Sequence, residues 1–254
     1  MLLDYDSPTT WPPDVIGFLE ANRGHLEDWE KEQRFTTGRQ YDLLIWQLSE
    51  LLRQHEILAW HCARLTGREA AVIRACGMEL PSVDTLMRRI NDAMAEGAFG
   101  PAIAEGFSRR HQAGSPSRTG RIWFLFTRPC NDDGIEDFLR FWGGESLYAA
   151  IDRDPELGPA LRSVGVPSVV EAAIPFAYFQ DSLGYETHIA RQFCAWRGGQ
   201  SYDGVPHDRA LAPIPPHYIR RVITFHDPDF EGLTGCAHYF EPLMQAIPTR
   251  SAKQ

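Results

Sequence analysis

The chain has 254 residues, a formal charge of −9 and a hydrophobic fraction of 43% that includes 7 Trp, 14 Phe and 8 Tyr. That composition excludes an intrinsically disordered chain and predicts a sizeable core, in one domain carrying an N-terminal helical extension. The acidic balance argues against general, phosphate-tracking nucleic-acid binding, which needs cationic surface to release counterions. Cys62, Cys76, Cys130, Cys194 and Cys236 are widely spaced with no Cys-x-x-Cys pair, so they read as reduced thiols rather than a disulfide framework or zinc site. The N-terminus carries acids and prolines where a secretory signal would carry basic and then apolar residues. No stretch approaches the roughly 20 apolar residues of a membrane helix. The expectation is a cytoplasmic protein that does not span a membrane.

Residues 1–12 read as an irregular arm. Pro8, Pro12 and Pro13 then open a helix capped at Thr10, with Val15, Phe18, Leu19, Leu26 and Trp29 at helical spacing. A second helix follows, in which Leu43, Leu44, Trp46, Leu48, Leu51 and Leu52 make a broad apolar face. These helices make up the predicted extension, residues 1–55, ahead of an α+β domain over 56–254. The domain opens with a short buried strand at 57–60 that ends at His61-Cys62-Ala63-Arg64. Thr66 and Glu69 form a capping box for the next helix, which Gly77 closes. A capped helix is predicted over 82–96 and a further one over 99–111. The basic stretch from Arg109 to Arg121 reads as a solvated loop.

A strand is predicted over 121–126, where Ile, Trp and Phe dominate. A helix starts at Asp132-Asp133-Gly134 and runs to Trp142, then breaks or kinks at Gly143-Gly144 before helical spacing resumes through Tyr148. Residues 167–179 suit a strand, 183–196 a helix and 201–213 a polar loop. A last strand is entered through Ile214-Pro-Pro-His-Tyr-Ile, with a turn at His226 and a brief helix near 240–244. Strands alternating with capped helices predict an α+β fold of small mixed sheets flanked by helices.

His61 is the first candidate for chemistry, because a side chain at the end of a strand is well placed to meet a ligand. A core or boundary histidine bonded to backbone is the alternative. Arg64 is close enough to serve as an anion ligand or to form an ordinary salt bridge. Around the Gly143-Gly144 pair, Trp142, Glu145 and Tyr148 gather two rings and a carboxylate. They form either a site or a kinked helix with its aromatics in the core. The chain lacks a Gly-x-Gly-x-x-Gly fingerprint, a Walker loop and a Gly-x-Ser-x-Gly elbow. Cys62 beside His61 does not form a dyad, since neighbours on a strand face opposite ways.

The run His61-Cys62-Ala63-Arg64, the helix through Ile73 and Cys76-Gly77-Met78 resemble the opening of the ADP-ribosyltransferase fold, with Cys62-Ala63 standing where Gly-Thr is common. Residues 121–126 resemble its second strand and Ile214-Pro-Pro-His-Tyr-Ile its late strand, so the likeness covers roughly 56–226. The resemblance is to the His-Tyr-Glu type and implies an enzyme that cleaves the nicotinamide–ribose bond of NAD. It implies that His61 holds a ribose hydroxyl, that Tyr148 stacks on nicotinamide, and that a carboxylate, Glu186 upstream of the late strand or its rival Glu145, stabilises the developing oxocarbenium ion, a solvated helix residue being the alternative for either. Cys62, Arg64 and Trp142 would complete the NAD contacts, and no metal is implied. ADP-ribose would pass to an unidentified protein or nucleic-acid acceptor or to water, in the manner of a toxin or defence effector. The alternative is a non-catalytic protein that binds a nucleotide or a partner. Neither reading fixes an oligomeric state.

Overall fold

The computed structural model describes residues 1–31, 35–131, 134–179 and 184–236. In chain order they form β1 (Leu2–Leu3), α1 (Pro13–Ala21), α2 (Arg23–Glu30), α3 (Gly38–Leu52), β2 (Glu56–Leu65), α4 (Gly67–Cys76), α5 (Val83–Ala95) and α6 (Pro101–Arg109). There follow β3 (Ile122–Leu125), α7 (Ile135–Arg140), α8 (Glu145–Ile151), α9 (Leu157–Ser163) and β4 (Val166–Pro175). The last elements are α10 (Tyr185–Arg197), β5 (His207–Ala210), β6 (Ile219–Thr224) and α11 (Asp229–Thr234). Strands pair in the order β5-β3-β2-β4-β6, with β1 parallel to β2 and β3 antiparallel to it. The class is therefore α+β.

Two compact units divide the chain, and β2 and β4 each contribute to both. The first gathers residues 1–60, 123–127 and 172–210. The N-terminal helices share this unit with later segments. Proline at the first position of α1 supplies the helical φ, and Val15 and Leu19, one turn apart, are buried. The single helix expected here is two: the chain leaves helical geometry at Asn22, whose side chain donates to the Phe18 carbonyl at 2.9 Å. Thr10 lies in a 3-10 turn, and the cap position belongs to Pro12. Thr37 and Gln40 form a capping box that starts α3, which buries Tyr41, Leu48 and Leu52 but leaves Leu43 and Trp46 in solvent. Only part of the predicted apolar face is thus used. Beneath lies an aromatic core in which Phe126 meets Phe179 edge-on and Tyr185 at 4.6 Å between ring centroids.

The second unit gathers the described residues within 61–122, 128–171 and 211–236. Its core takes Leu86 and Ile90 of α5, Phe107 of α6, Trp142, Leu147 of α8 and Leu161 of α9. Each such apolar side chain contributes roughly 1.5–3 kcal/mol by leaving water. The capping box of Ser82 and Thr85 opens α5. The helix expected to run to Trp142 ends at Arg140, because Phe141 is extended and Gly143 and Gly144 take positive φ. The expected helix start at Asp132 and Asp133, the Leu183 end of the α10 prediction and the helix near 240–244 lie outside the described residues. The loop expected over 201–213 contains β5, and the prediction between Tyr148 and Pro167 lacks α9. No described helix is long and apolar enough to cross a membrane.

Candidate functional site

The strand expected to stop at Trp60 continues to Leu65, so His61 is a mid-strand residue and not a strand-end one. Backbone pairing overrides the polar side chains here, because alternate residues satisfy different surroundings. His61 and Ala63 are half-buried, while Cys62 and Arg64 on the opposite face are buried. The predicted anion ligand Arg64 is only 2% exposed. Its Nε donates to the Val164 carbonyl at 2.7 Å and its Nη1 to the Leu139 carbonyl at 3.4 Å. These oxygens lie at the C-terminal ends of α9 and α7, where carbonyls lack helical partners. Burial pulls the Arg64 guanidinium down to about 10, still protonated at neutral pH. Arg64 therefore straps the strand to two helix ends. Replacing Arg64 with alanine is expected to lower stability by about 2 kcal/mol in denaturant unfolding, since two unpaired carbonyls and a void outweigh relief of the buried charge.

Trp142 is likewise fully buried. Its indole N–H donates to Glu69 Oε2 at 3.0 Å, and the Arg89 guanidinium lies 5.2 Å from its ring centroid. Glu69 also accepts the Thr66 N–H at 2.8 Å, as the capping box requires, and pairs with Arg89 Nε at 2.5 Å. Sequence identified Glu69 as a cap but not as the anchor of Trp142, 73 residues away.

Glu145 and Tyr148 do meet. The Tyr148 hydroxyl donates to Glu145 Oε1 at 3.4 Å, and Arg118 Nε lies 3.7 Å from Oε2. Three residues apart on α8, they share a face. Tyr148 stacks on Phe141 with centroids 5.3 Å apart, and burial followed by the Glu145 charge pushes its phenol up to about 12. Arg118, read from sequence as part of a solvated loop, also donates to Gln112 and is the cation of this group. Glu186 belongs to the first turn of α10, in the other unit, and is buried. Among the described residues, no group of three His, Cys, Asp or Glu is placed to hold a metal ion.

Segments far apart in sequence join at the end of α4. Met78 and Ile214 form an antiparallel bridge, with Met78 N–H donating to the Ile214 carbonyl at 2.8 Å and Ile214 N–H returning to Met78 at 2.9 Å. Gly77, at φ +84°, allows this approach. Compared with known families, curated proteins and solved structures, the chain matches none.

Proposed function

We propose that the chain is an ADP-ribosyltransferase-like enzyme that cleaves the nicotinamide–ribose bond of NAD. The supporting observation is the junction at Met78 and Ile214, which joins two of the motifs behind the resemblance through backbone hydrogen bonds. The third, His61-Cys62-Ala63-Arg64, leads through the Thr66 cap directly into the helix that Gly77 ends.

In this reading His61 holds a ribose hydroxyl and the backbone at Cys62 meets nicotinamide. Tyr148, with one ring face on Phe141, stacks the nicotinamide on the other. Nicotinamide leaves with the electron pair of its bond to the ribose, and positive charge develops on the ribose carbon. The Glu145 carboxylate stabilises that charge electrostatically. The acceptor, a macromolecule or water, supplies the new bond to that carbon and gives up a proton. Arg64 and Trp142 leave the contact set, because their polar groups are buried and bonded within the fold.

A second reading, a non-catalytic nucleotide-binding protein, draws on the engagement of Glu145 by Tyr148 and Arg118, which competes with any role at the ribose. Nicotinamide release from NAD by the purified protein separates the two, measured with and without cell extract as a source of acceptor. Release is expected, with folded His61→Ala and Glu145→Ala variants at least about tenfold slower, or about 1.4 kcal/mol in the barrier. Tyr148→Phe keeps the ring and should lose less. Absence of release alongside an NAD-dependent rise in Tm would favour the binding protein, and absence of both would remove NAD as ligand.

A further inference from the structure

On α3, in the first unit, Leu43 and Trp46 are 52% and 60% exposed. Exposure of this kind contributes nothing to the core and marks a surface open to a ligand. Beside Trp46 an open groove of about 300 Å³ is lined by Tyr41, Asp42 and Ile45 of α3 and by Glu186 and Thr187 of α10. Among the described residues, both charged groups in its lining are carboxylates, and no lysine or arginine lines it.

The two acids differ in kind. Asp42 is exposed on the rim, whereas Glu186 is 6% exposed in the first turn of α10. A carboxylate largely removed from water interacts more strongly with a cation than a fully solvated one. Tyr41 closes one wall: it is stacked on Trp29 at 4.6 Å, so its ring is already used, and burial followed by the Glu30 charge keeps its phenol protonated, up to about 12. The indole of Trp46 remains as a negative π-face beside two acids.

That combination selects a flat cation with an apolar stem. Guanidinium stacks on indole and presents N–H donors to carboxylates in its own plane, while an ammonium is more strongly hydrated and offers no flat face. Leu43, three residues before Trp46 on the same helix face, extends the surface with an apolar contact. We propose that this groove takes an arginine side chain presented by a segment of a partner protein, stacked on Trp46 between Asp42 and Glu186, with an adjacent apolar side chain of that segment against Leu43. The site is independent of the NAD reading.

The test uses the isotope-labelled full-length chain titrated with acetyl-Leu-Arg-amide, following the Trp46 indole N–H assigned by its absence in Trp46→Phe. A saturable shift at Trp46 and at the Thr187 amide is expected, with Kd roughly millimolar for so small a probe. The citrulline analogue, which has the same shape without the charge, should produce none, and the Leu-Lys probe should bind more weakly. Asp42→Asn is expected to weaken binding about threefold, as suits an exposed ion pair. Trp46→Ala, at an exposed position that leaves the fold intact, should reduce it further. The proposal is overturned by the absence of a saturable shift, by equal binding of the citrulline probe, or by shifts confined to residues outside the groove.

Discussion

Replacing Gly77 with alanine is expected to cost the fold on the order of 4 kcal/mol, because strain and steric exclusion act together. Gly77 sits at φ +84°, where a side chain is strained by about 1–3 kcal/mol. The new Cβ would fall 2.0 Å from the Ile214 carbonyl oxygen and 2.9 Å from backbone atoms of Pro215 and Pro216. These obstacles are main chain, which does not rotate away as a flexible side chain would. Relief requires opening the Met78–Ile214 bridge and thus loss of its two hydrogen bonds. Gly97 provides the control: its φ is +76°, but nothing lies within 4 Å of a Cβ built there. Gly97→Ala should therefore cost only about 1 kcal/mol. Denaturant unfolding of the two variants measures the junction by difference, and equal losses would mean that the close approach at Ile214 contributes nothing.

Glu69→Ala is expected to cost about 3 kcal/mol, since one carboxylate serves three donors. Loss of the helix cap accounts for about 1 kcal/mol. The buried Trp142 indole N–H, left without its acceptor, adds about 1–3 kcal/mol. The Arg89 pair adds less, because Arg89 is 34% exposed and water screens it. Burial alone would raise the Glu69 pKa, but the Arg89 charge and the hydrogen bonds from Thr66, Arg89 and Trp142 hold it below its ordinary 4.5. A depressed carboxylate stabilises the fold above the unfolded-state pKa and loses that contribution as pH falls through the folded one. The wild type should thus lose stability as pH falls from about 4.5 more steeply than Glu69→Gln, which has no charge to lose. Urea midpoints across that range supply the measurement, and parallel curves would exclude a stabilising charge at Glu69.

What the sequence made legible was local. The capping box of Thr66 and Glu69, the Ser82 cap and the closing Gly77 lie where expected, because each is decided by residues within a few positions. What it hid was decided at a distance. Arg64 reads as a surface charge until carbonyls 75 and 100 residues away receive it. Strand β5, His-Asp-Arg-Ala, has no apolar alternation, and its identity depends on the strand beside it. Leu43 and Trp46 fit an amphipathic helix by spacing, yet of that predicted face α3 buries Leu48 and Leu52, together with Tyr41. In the candidate site, the pairing of Glu145 with Tyr148 follows from spacing on one helix, whereas the burial of Trp142 depends on Glu69.

The division of β2 after Trp60 and of β4 after Glu171 bears on how the chain acquires its structure. The backbone passes between the two units at residues 60–61, 122–123, 127–128, 171–172 and 210–211, so no single cut separates one from the other. Neither can be completed during synthesis until much of the other has emerged, since the first unit needs residues up to 210. Assembly must wait for partners distant in sequence, which predicts slow folding and leaves few positions where a break or an insertion would spare one half.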